Sequence, residues 1–392
     1  MNILFVAPMP MIPSKGGIQR VSDVLATTIR GFGHKVFFLC RRDWESTSSE
    51  QTSAPQFCIP ISQEKADESI EKYHDFLRTN NIEVVIFQWV DNLIELWLKN
   101  TPGRIKTISA LHTQPFPGYY YSGKIIRRYA IRSIKHLIWK CIGYTCPCFR
   151  RHFIKKAELR KLNILMDHSD KICLLSKSFI PRIKAIAPLF ELDNLVAINN
   201  PCTPISYSAS YSKENLIVMV CRMENESKNV LGFINVWKKI SHNNPDWNAI
   251  LVGDGIDFNL IKKYASKKGI TNLEFAGQQR DVSPFYQRAK ILLITSFSEG
   301  FSMVIVEGMT SGCVPIAFNT FESVVDTIDD GVDGFIIKAL DEEAMADKVQ
   351  YLIDNEDIRL EMSEKAKRKI QKFAPDLIAR QWLDLIDSIK KE

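Results

Sequence analysis

The chain has 392 residues, of which 45% are hydrophobic and 24% are charged, and its formal net charge is +6. This length exceeds the size at which a single hydrophobic core usually keeps growing, so two domains are expected. No apolar run approaches the ~18 residues that a bilayer-spanning helix needs, so no transmembrane helix is predicted.

The nine cysteines are scattered along the chain in an odd number, which does not indicate a disulfide framework. Residues 2–7 read as a first strand followed by a proline turn, rather than as a cleavable signal peptide. We therefore expect reduced thiols in a cytoplasmic protein.

In the first half of the chain, short apolar runs alternate with helical patterns. The predicted strands cover residues 3–6, 36–39, 84–87, 107–110 and 172–175, and the predicted helices cover roughly 17–32, 64–80 and 177–185. This alternation predicts an α/β domain with a doubly wound parallel sheet.

A second series of the same kind follows the polar stretch 206–213, which we interpret as an interdomain linker. Its predicted strands cover residues 216–220, 248–252, 273–275, 291–294, 314–317 and 334–337, and helices near 341–354, 356–372 and 375–390 close the chain. The expected fold is two Rossmann-like domains, 1–205 and 206–374, with ligands in the cleft between them. Residues 375–392 are predicted to form a last helix, which is long enough to return to the first domain.

Residues 295–313 place two carboxylates, Glu299 and Glu307, around a glycine-rich turn between a strand and a helix. The first amides of a helix have no internal partners, so such a turn suits an anionic ligand. Residues 298–301, 307–309 and 312–316 together resemble the donor-site signature of retaining glycosyltransferases of family 4, which have the GT-B fold. The resemblance covers most of the chain and is strongest over 216–317.

The resemblance implies distinct roles for the two carboxylates. Glu307 would hold the two ribose hydroxyls of a nucleotide sugar, and Glu299 would contact hydroxyls of the transferred sugar. The backbone amides that would line the sugar pocket and the β-phosphate belong to Gly300, Phe301, Ser302 and Met303.

Arg222 and Lys228 follow the first strand of the second domain. A guanidinium and an ammonium can neutralise a diphosphate leaving group as its charge develops. By resemblance, these are the family's diphosphate-binding Arg and Lys, although Cys221 stands where the family often has glycine.

Three residues of the first domain are further candidates. Gly17 follows strand one in a Gly-Gly loop, which lets its amide approach a phosphate closely. By resemblance this loop closes over the donor, Gln19 lies on the acceptor side, and His112 lies near the donor sugar and the reacting centre. The resemblance implies no double-displacement nucleophile.

No cofactor and no metal site are expected. Cys141, Cys146 and Cys148 with His136 or His152 match no usual pair of zinc knuckles. Glycosyltransferases of the GT-B class do not need a divalent ion at the diphosphate, in keeping with Arg222 and Lys228.

Residues 124–161 carry twelve Lys or Arg and a single acid, interleaved with aromatic and aliphatic residues. A basic amphipathic helix of this kind would lie on an anionic membrane surface. The alternative is a solvated helical hairpin packed on the first domain. Nucleic-acid binding is not expected, because no recognition motif accompanies the charge.

The leading hypothesis is a retaining hexosyltransferase at the inner face of the cytoplasmic membrane. It would transfer a hexose or N-acetylhexosamine from a UDP-sugar to a glycan or polyprenyl-diphosphate-linked acceptor in surface polysaccharide biosynthesis. The alternatives are a nucleotide-sugar 2-epimerase of GT-B fold, which would turn over UDP-N-acetylglucosamine without an acceptor, and a non-catalytic nucleotide-sugar-binding scaffold.

Overall fold

The computed structural model describes residues 1–41, 52–61, 64–117, 119, 147–202 and 211–391. The chain forms two compact units: Met1–Thr113, Glu158–Thr203 and Phe373–Glu392 make the first, and Gln114–Ala157 and Pro204–Lys372 the second. Most of the predicted linker 206–213 and residues 124–146 of the basic segment lie outside the described residues.

The first unit contains a parallel sheet with the strand order β3-β2-β1-β4-β5-β6-β7. Its strands are β1 (Asn2–Val6), β2 (Lys35–Arg41), β3 (Gln56–Ile59), β4 (Val84–Phe87), β5 (Lys106–Leu111), β6 (Lys171–Leu174) and β7 (Leu195–Ala197). Strand β4 is buried along its whole length, as expected for a parallel strand with both faces covered.

The sequence patterns missed two strands of this sheet, β3 and β7. Both are short, at four and three residues. They occupy the two edges of the sheet, where Phe57 and Cys58 of β3 are exposed. An edge strand buries less of its surface, so its apolar pattern is weaker than that of a central strand.

The second unit contains a parallel sheet with the order β10-β9-β8-β11-β12-β13. Its strands are β8 (Glu214–Val220), β9 (Asn248–Val252), β10 (Leu273–Gly277), β11 (Ala289–Ile294), β12 (Val314–Phe318) and β13 (Phe335–Ile337). All six were predicted, because their apolar runs are longer or bounded by glycine and polar residues.

The helices cover the faces of the two sheets. Among the described residues they are, in chain order, α1 (Gly17–Gly31), α2 (Ala66–Thr79), α3 (Ile94–Lys99), α4 (Pro147–His168), α5 (Phe179–Ile186), α6 (Asn225–Lys228), α7 (Val230–Ile240), α8 (Phe258–Lys267), α9 (Ser283–Arg288), α10 (Met303–Thr310), α11 (Val324–Thr327), α12 (Glu342–Asp354), α13 (Glu356–Ile370) and α14 (Pro375–Lys391).

Helix α14 belongs to the first unit although it ends the chain. It packs beside α1, where the guanidinium of Arg380 lies 4.8 Å from the ring centre of Phe32. Near its end, Lys390 forms a 2.6 Å ion pair with Glu83, which precedes β4. The buried face of α14 includes Trp382, so apolar burial and these contacts hold the helix on this unit.

Each sheet has a topological switch point, where consecutive connections run in opposite directions. It falls between β1 and β4 in the first sheet and between β8 and β11 in the second. Ligands of open parallel sheets bind beyond the carboxyl ends of the strands at such points. The two switch points are therefore where candidate sites should be sought.

Candidate functional site

The switch point of the second unit carries most of the residues that the sequence singled out. Residues 221–229 follow β8 and residues 295–302 follow β11, and these strands are neighbours in the sheet. Because the strands are parallel, both loops leave the same edge of the sheet.

Lys228 and Glu299 face each other across these two loops. The Lys228 Nζ atom lies 2.7 Å from Glu299 Oε1, and the side chains are 22% and 13% exposed. Burial by itself lowers the pKa of Lys228, but attraction and hydrogen bonding by the Glu299 carboxylate outweigh it, so that the pKa lies above its ordinary value. Lys228 is therefore a fixed positive charge at neutral pH.

Asn229 joins the two loops behind the ion pair. Its backbone is left-handed, with φ 49° and ψ 46°, and its side-chain Nδ2 donates to the carbonyl of Thr295 at 3.0 Å. In return, the hydroxyl of Thr295 donates to the carbonyl oxygen of Asn229 at 3.0 Å. A Cβ on Gly232 would lie 2.5 Å from the Asn229 amide nitrogen, so glycine there leaves the space that Asn229 needs.

Arg222 has a different environment. Its side chain is 71% exposed and forms a 3.0 Å ion pair with Glu224. An exposed pair of this kind contributes little to stability, at most about 1 kcal/mol. The guanidinium is therefore held only weakly and can turn to an incoming anion.

The loop after β9 supports residues 221–225 from the other side. Gly253 has φ 129°, and a Cβ there would lie 1.9 Å from the carbonyl oxygen of Cys221, so only glycine fits this close approach. Asp257 is buried, and its carboxylate accepts a hydrogen bond from the amide of Asn225 at 2.9 Å. The loop that carries Arg222 and Lys228 is thus anchored at both ends.

Helix α10 begins at this site, immediately after Ser302. Phe301 and Ser302 are buried, at 5% and 2% exposure, and Gly300 and Met303 are partly exposed. The Ser302 hydroxyl is buried and has no hydrogen-bond partner among the described residues. An unsatisfied hydroxyl at the start of a helix, where backbone amides also lack partners, provides donors for an anion or a sugar hydroxyl.

Glu307 lies one turn into α10 and is only 4% exposed. One of its carboxylate oxygens accepts a hydrogen bond from the hydroxyl of Tyr286 at 3.1 Å, and Tyr286 is fully buried. The tyrosine fixes the orientation of the carboxylate. The sequence did not identify Tyr286, because it lies 21 positions before Glu307 and nothing between the two residues indicates the contact.

Gln114 is a second residue that the sequence did not identify. It belongs to the second unit and is 1% exposed. Its amide oxygen accepts from the Ser298 hydroxyl at 2.7 Å, and its amide nitrogen donates to Glu322 at 2.5 Å. Gln114 therefore holds the loop before Glu299 against the segment that follows β12.

The switch point of the first unit carries the other candidates. Gly17 is the first residue of α1, and a side chain there would meet open space. Gln19, predicted on the acceptor side, is 6% exposed, and its Nε2 lies 2.8 Å from the sulfur of Met9. Gln19 thus packs against Met9 and the neighbouring Gly16.

His112 lines a cavity of about 90 Å³ within the first unit. The His112 Nε2 atom lies 2.5 Å from the side-chain oxygen of Gln88, and Nδ1 is buried without a partner among the described residues. Burial of the ring lowers the pKa of His112 to about 4, so the imidazole is neutral at physiological pH. The cavity is also lined by Trp89 and by Ile18, the residue after Gly17.

Across the described residues, no group of three or more His, Cys, Asp or Glu side chains is arranged to hold a metal ion. Cys141, Cys146 and His136 lie outside the described residues. Within the described residues, no helix is long and apolar enough to span a membrane.

Residues 206–369 match the family described as glycosyl transferases group 1. The chain is 27% identical over 230 residues to the GalNAc-alpha-(1->4)-GalNAc-alpha-(1->3)-diNAcBac-PP-undecaprenol alpha-1,4-N-acetyl-D-galactosaminyltransferase of Campylobacter jejuni, which covers 58% of this chain. It is 24% identical over 244 residues to the amylovoran biosynthesis glycosyltransferase AmsD of Erwinia amylovora, which covers 59% of this chain. The chain spans 60% and 66% of the lengths of these curated relatives.

A solved structure, Anabaena Alr3699/HepE in complex with UDP, superimposes with a TM-score of 0.73 at 15% identity. The alignment covers 99% of this chain and 100% of that one. This likeness confirms the predicted fold class, α/β of the GT-B type.

Proposed function

The chain carries a glycosyl transferases group 1 domain over residues 206–369, and from this premise we propose that it transfers a sugar from a nucleotide sugar to a bacterial glycan. One observation carries the proposal: Lys228 and Glu299 meet at the β8/β11 switch point, beside the start of α10. A cation for the diphosphate and a carboxylate for the sugar hydroxyls are the two kinds of group that such a donor requires.

The proposed donor is a UDP-linked hexose or N-acetylhexosamine. The HepE structure similar to this chain is a complex with UDP, which supports this choice of nucleotide. In the proposed complex, Glu307 accepts the ribose hydroxyls, and Tyr286 keeps its carboxylate oriented for them. Arg222 leaves Glu224 and joins Lys228 at the diphosphate.

We expect retention of configuration by a front-face reaction. The bond from the anomeric carbon to the diphosphate oxygen breaks as the acceptor oxygen bonds to the same face of that carbon. The acceptor hydroxyl gives its proton to the departing phosphate. Arg222, Lys228 and the first amides of α10 stabilise the negative charge that develops on the leaving group, so no metal ion is required.

The proposed acceptor is a lipid-linked or membrane-associated glycan. The Campylobacter jejuni relative is named for an undecaprenol-diphosphate-linked glycan, which supports the choice. The cations of 124–161 would hold the protein at the inner face of the cytoplasmic membrane. In the described part of that segment, α4 exposes Phe153 at 45% together with Arg151 and Lys156.

The donor site is tested by ligand-induced stabilisation and by transfer. A UDP-sugar should raise the melting temperature of the wild type, because a ligand of the native state stabilises it according to concentration and affinity. Glu307→Ala and Arg222→Ala should weaken this stabilisation and lower transfer by about 100-fold. The control Arg368→Ala changes an exposed arginine of α13 and should alter neither. Transfer at the wild-type rate by the Glu307 and Arg222 variants would disprove the assignment.

The reaction class is tested by incubating the protein with UDP-N-acetylglucosamine alone. A glycosyltransferase leaves the sugar configuration unchanged without an acceptor, whereas a 2-epimerase converts it. Sugar-nucleotide binding without turnover, in the presence of a panel of lipid-linked acceptors, would indicate a scaffold.

Membrane binding is tested with liposomes that contain anionic lipid. Replacing the twelve cations of 124–161 by glutamine should abolish co-sedimentation at physiological salt. A control variant that replaces four exposed lysines of the second unit, Lys238, Lys239, Lys262 and Lys263, should bind as the wild type does. Equal binding by both variants would show that residues 124–161 do not attach the protein to the membrane.

A further inference from the structure

Gln88 is a buried polar residue that the sequence did not single out. It follows β4, is 1% exposed, and lines the same cavity as His112, which follows β5. These strands are neighbours, so both side chains lie at the carboxyl edge of the first sheet, next to its switch point. The buried polar atoms of Gln88 and His112 need hydrogen-bond partners. The bonds that the two side chains already make show which donor or acceptor atom each has left.

The hydrogen bond between the two residues fixes where the proton of His112 lies. The Gln88 side-chain oxygen has no hydrogen, so in the 2.5 Å contact the Nε2 atom of His112 must donate. In a neutral imidazole the other nitrogen, Nδ1, then carries a lone pair and can only accept. Nδ1 is buried and has no partner among the described residues.

The amide nitrogen of Gln88 is also unsatisfied. Gln88 Nε2 is buried and has no hydrogen-bond partner among the described residues. The cavity is therefore lined by a buried acceptor on His112 and a buried donor on Gln88, and neither has a partner among the described residues. Two oxygens of a ligand can satisfy them, because a hydroxyl donates to Nδ1 and a second oxygen accepts from the amide.

On the basis of the function proposed above, we propose that Gln88 is a positioning residue that holds His112 with its proton on Nε2. Nδ1 then accepts a hydrogen bond from a sugar hydroxyl in this cavity, and the Gln88 amide donates to a second oxygen of the same sugar. Trp89 forms part of the wall and is 42% exposed, which gives the apolar face of a sugar ring a surface to pack on. A cavity of about 90 Å³ has room for several water molecules, and thus for part of one sugar ring.

Burial keeps the imidazole of His112 neutral at physiological pH, because it lowers the pKa of the ring. Among the described residues that line the cavity, Lys161 of α4 is the ionisable side chain besides His112. The sugar could belong to the donor or to the acceptor, and the kinetic experiment below separates these sources.

The tautomer can be read directly by nitrogen NMR of the whole protein labelled with ¹⁵N-histidine, without any substrate. The His112 signals are assigned by their loss in His112→Gln. His74 is an internal reference, because its Nε2 lies 2.6 Å from the carbonyl oxygen of Asn100 and must donate to it. We expect His112 to show the same pattern as His74, with Nε2 protonated and Nδ1 bare. Protonation of Nδ1 in neutral His112 would overturn the proposal.

Two substitutions test the role of Gln88. Gln88→Glu keeps the acceptor but adds a negative charge, so the titration midpoint of His112 should rise by at least one pH unit. Gln88→Met removes the acceptor, and the two neutral tautomers of His112 should then coexist. His74 should be unchanged in both variants. If neither variant alters the midpoint or the tautomer of His112, Gln88 does not position it.

Kinetics then locate the sugar. Gln88→Glu should lose transfer activity as the pH falls below its new His112 midpoint, by about tenfold per pH unit. If the sugar belongs to the acceptor, Gln88→Met should raise the acceptor KM severalfold and leave the donor KM unchanged. If the sugar belongs to the donor, the donor KM should rise and the acceptor KM should stay unchanged. Unchanged values of both constants and of kcat would show that no sugar is held there.

UDP binding separates the failure of this inference from failure of the proposed function. The Gln88 variants lie in the first unit and should bind UDP as tightly as the wild type does. If wild-type protein does not bind UDP, the proposed function fails, whatever the tautomer of His112. If the wild type binds UDP and the Gln88 variants do not, Gln88 affects more of the protein than the position of His112, and the proposed role is overturned.

Discussion

The ammonium of Lys228 and the carboxylate of Glu299 are 2.7 Å apart although 71 residues separate them in the chain. Each was predicted to bind a different part of the donor, yet in the structure they bind each other. The ion pair keeps both side chains in place at the switch point and pairs two partly buried charges. A nucleotide sugar must therefore share or replace this pair, so the two residues should be energetically coupled in binding.

Glu299→Gln should tighten the binding of UDP by about 3–10-fold, because Lys228 is then free to contact the diphosphate. The same substitution should slow sugar transfer by about 100-fold, since it removes the carboxylate proposed to contact the sugar. Calorimetric titration with UDP and a transfer assay measure the two effects. The control Glu214→Gln releases Arg288 from a similar pair and should alter neither value. Weaker UDP binding by Glu299→Gln would contradict the coupling.

Lys228→Met should weaken UDP binding by about 10–100-fold, because a charge-assisted hydrogen bond contributes roughly 1.5–3 kcal/mol. Combined with Glu299→Gln, it completes a double-mutant cycle. We expect the double variant to bind UDP as tightly as Lys228→Met alone and no more tightly, since Glu299 acts on UDP through Lys228. Additive effects of the two substitutions would exclude this model.

Tyr286→Phe removes the hydroxyl that donates to Glu307. We expect a loss of stability of about 1 kcal/mol and a donor KM raised about 3–10-fold, because Glu307 is no longer held in one orientation. Tyr264→Phe is the matched control, since its hydroxyl donates to Asn235 at 2.7 Å in the same unit. It should lose similar stability without a change in KM. An equal rise in KM in both variants would indicate a general loosening of the unit.

Acid should destabilise the first unit through His112. The folded pKa of about 4 lies below the ordinary value of 6.5, so the unfolded chain takes up a proton that the folded chain does not. Stability is then lost as the pH falls from about 6.5 towards about 4, by about 2 kcal/mol at pH 5. Scanning calorimetry at pH 7 and pH 5 measures the fall in melting temperature between the two pH values. This fall should be about 4–8 °C larger for the wild type than for His112→Gln. Equal falls would show that His112 is not buried as a neutral group.

Asn229 should tolerate glycine better than alanine, although alanine is normally the better residue inside helices. Asn229→Gly loses the bond to Thr295 and should cost about 1–2 kcal/mol, whereas Asn229→Ala also strains the left-handed backbone and should cost about 2–3 kcal/mol. Thermal unfolding measures the order of the two variants. A more stable alanine variant would show that the left-handed backbone at 229 is not required.

The sequence predicted the central strands of the second unit, β8, β9, β11 and β12, because each has a largely buried, nearly continuous apolar run; the edge strands β10 and β13 were found because glycine and polar residues bound their shorter runs. It also placed Arg222, Lys228, Glu299 and Glu307 after β8 and β11, since local signals of strand, glycine loop and helix surround them. The edge strands β3 and β7 were missed because edge positions demand less apolar burial.

The sequence by itself thus determined the fold class and the chemical types of the candidate donor residues, because local periodicity and loop composition encode both. Only the tertiary structure decided which groups meet: Lys228 with Glu299, Tyr286 with Glu307, and Gln88 with His112. These contacts depend on strand order and on the parallel register, which bring distant segments to one edge of a sheet. The spacing of these residues along the chain does not predict the contacts. A glutamine or a tyrosine positions another side chain only when the fold brings the two together.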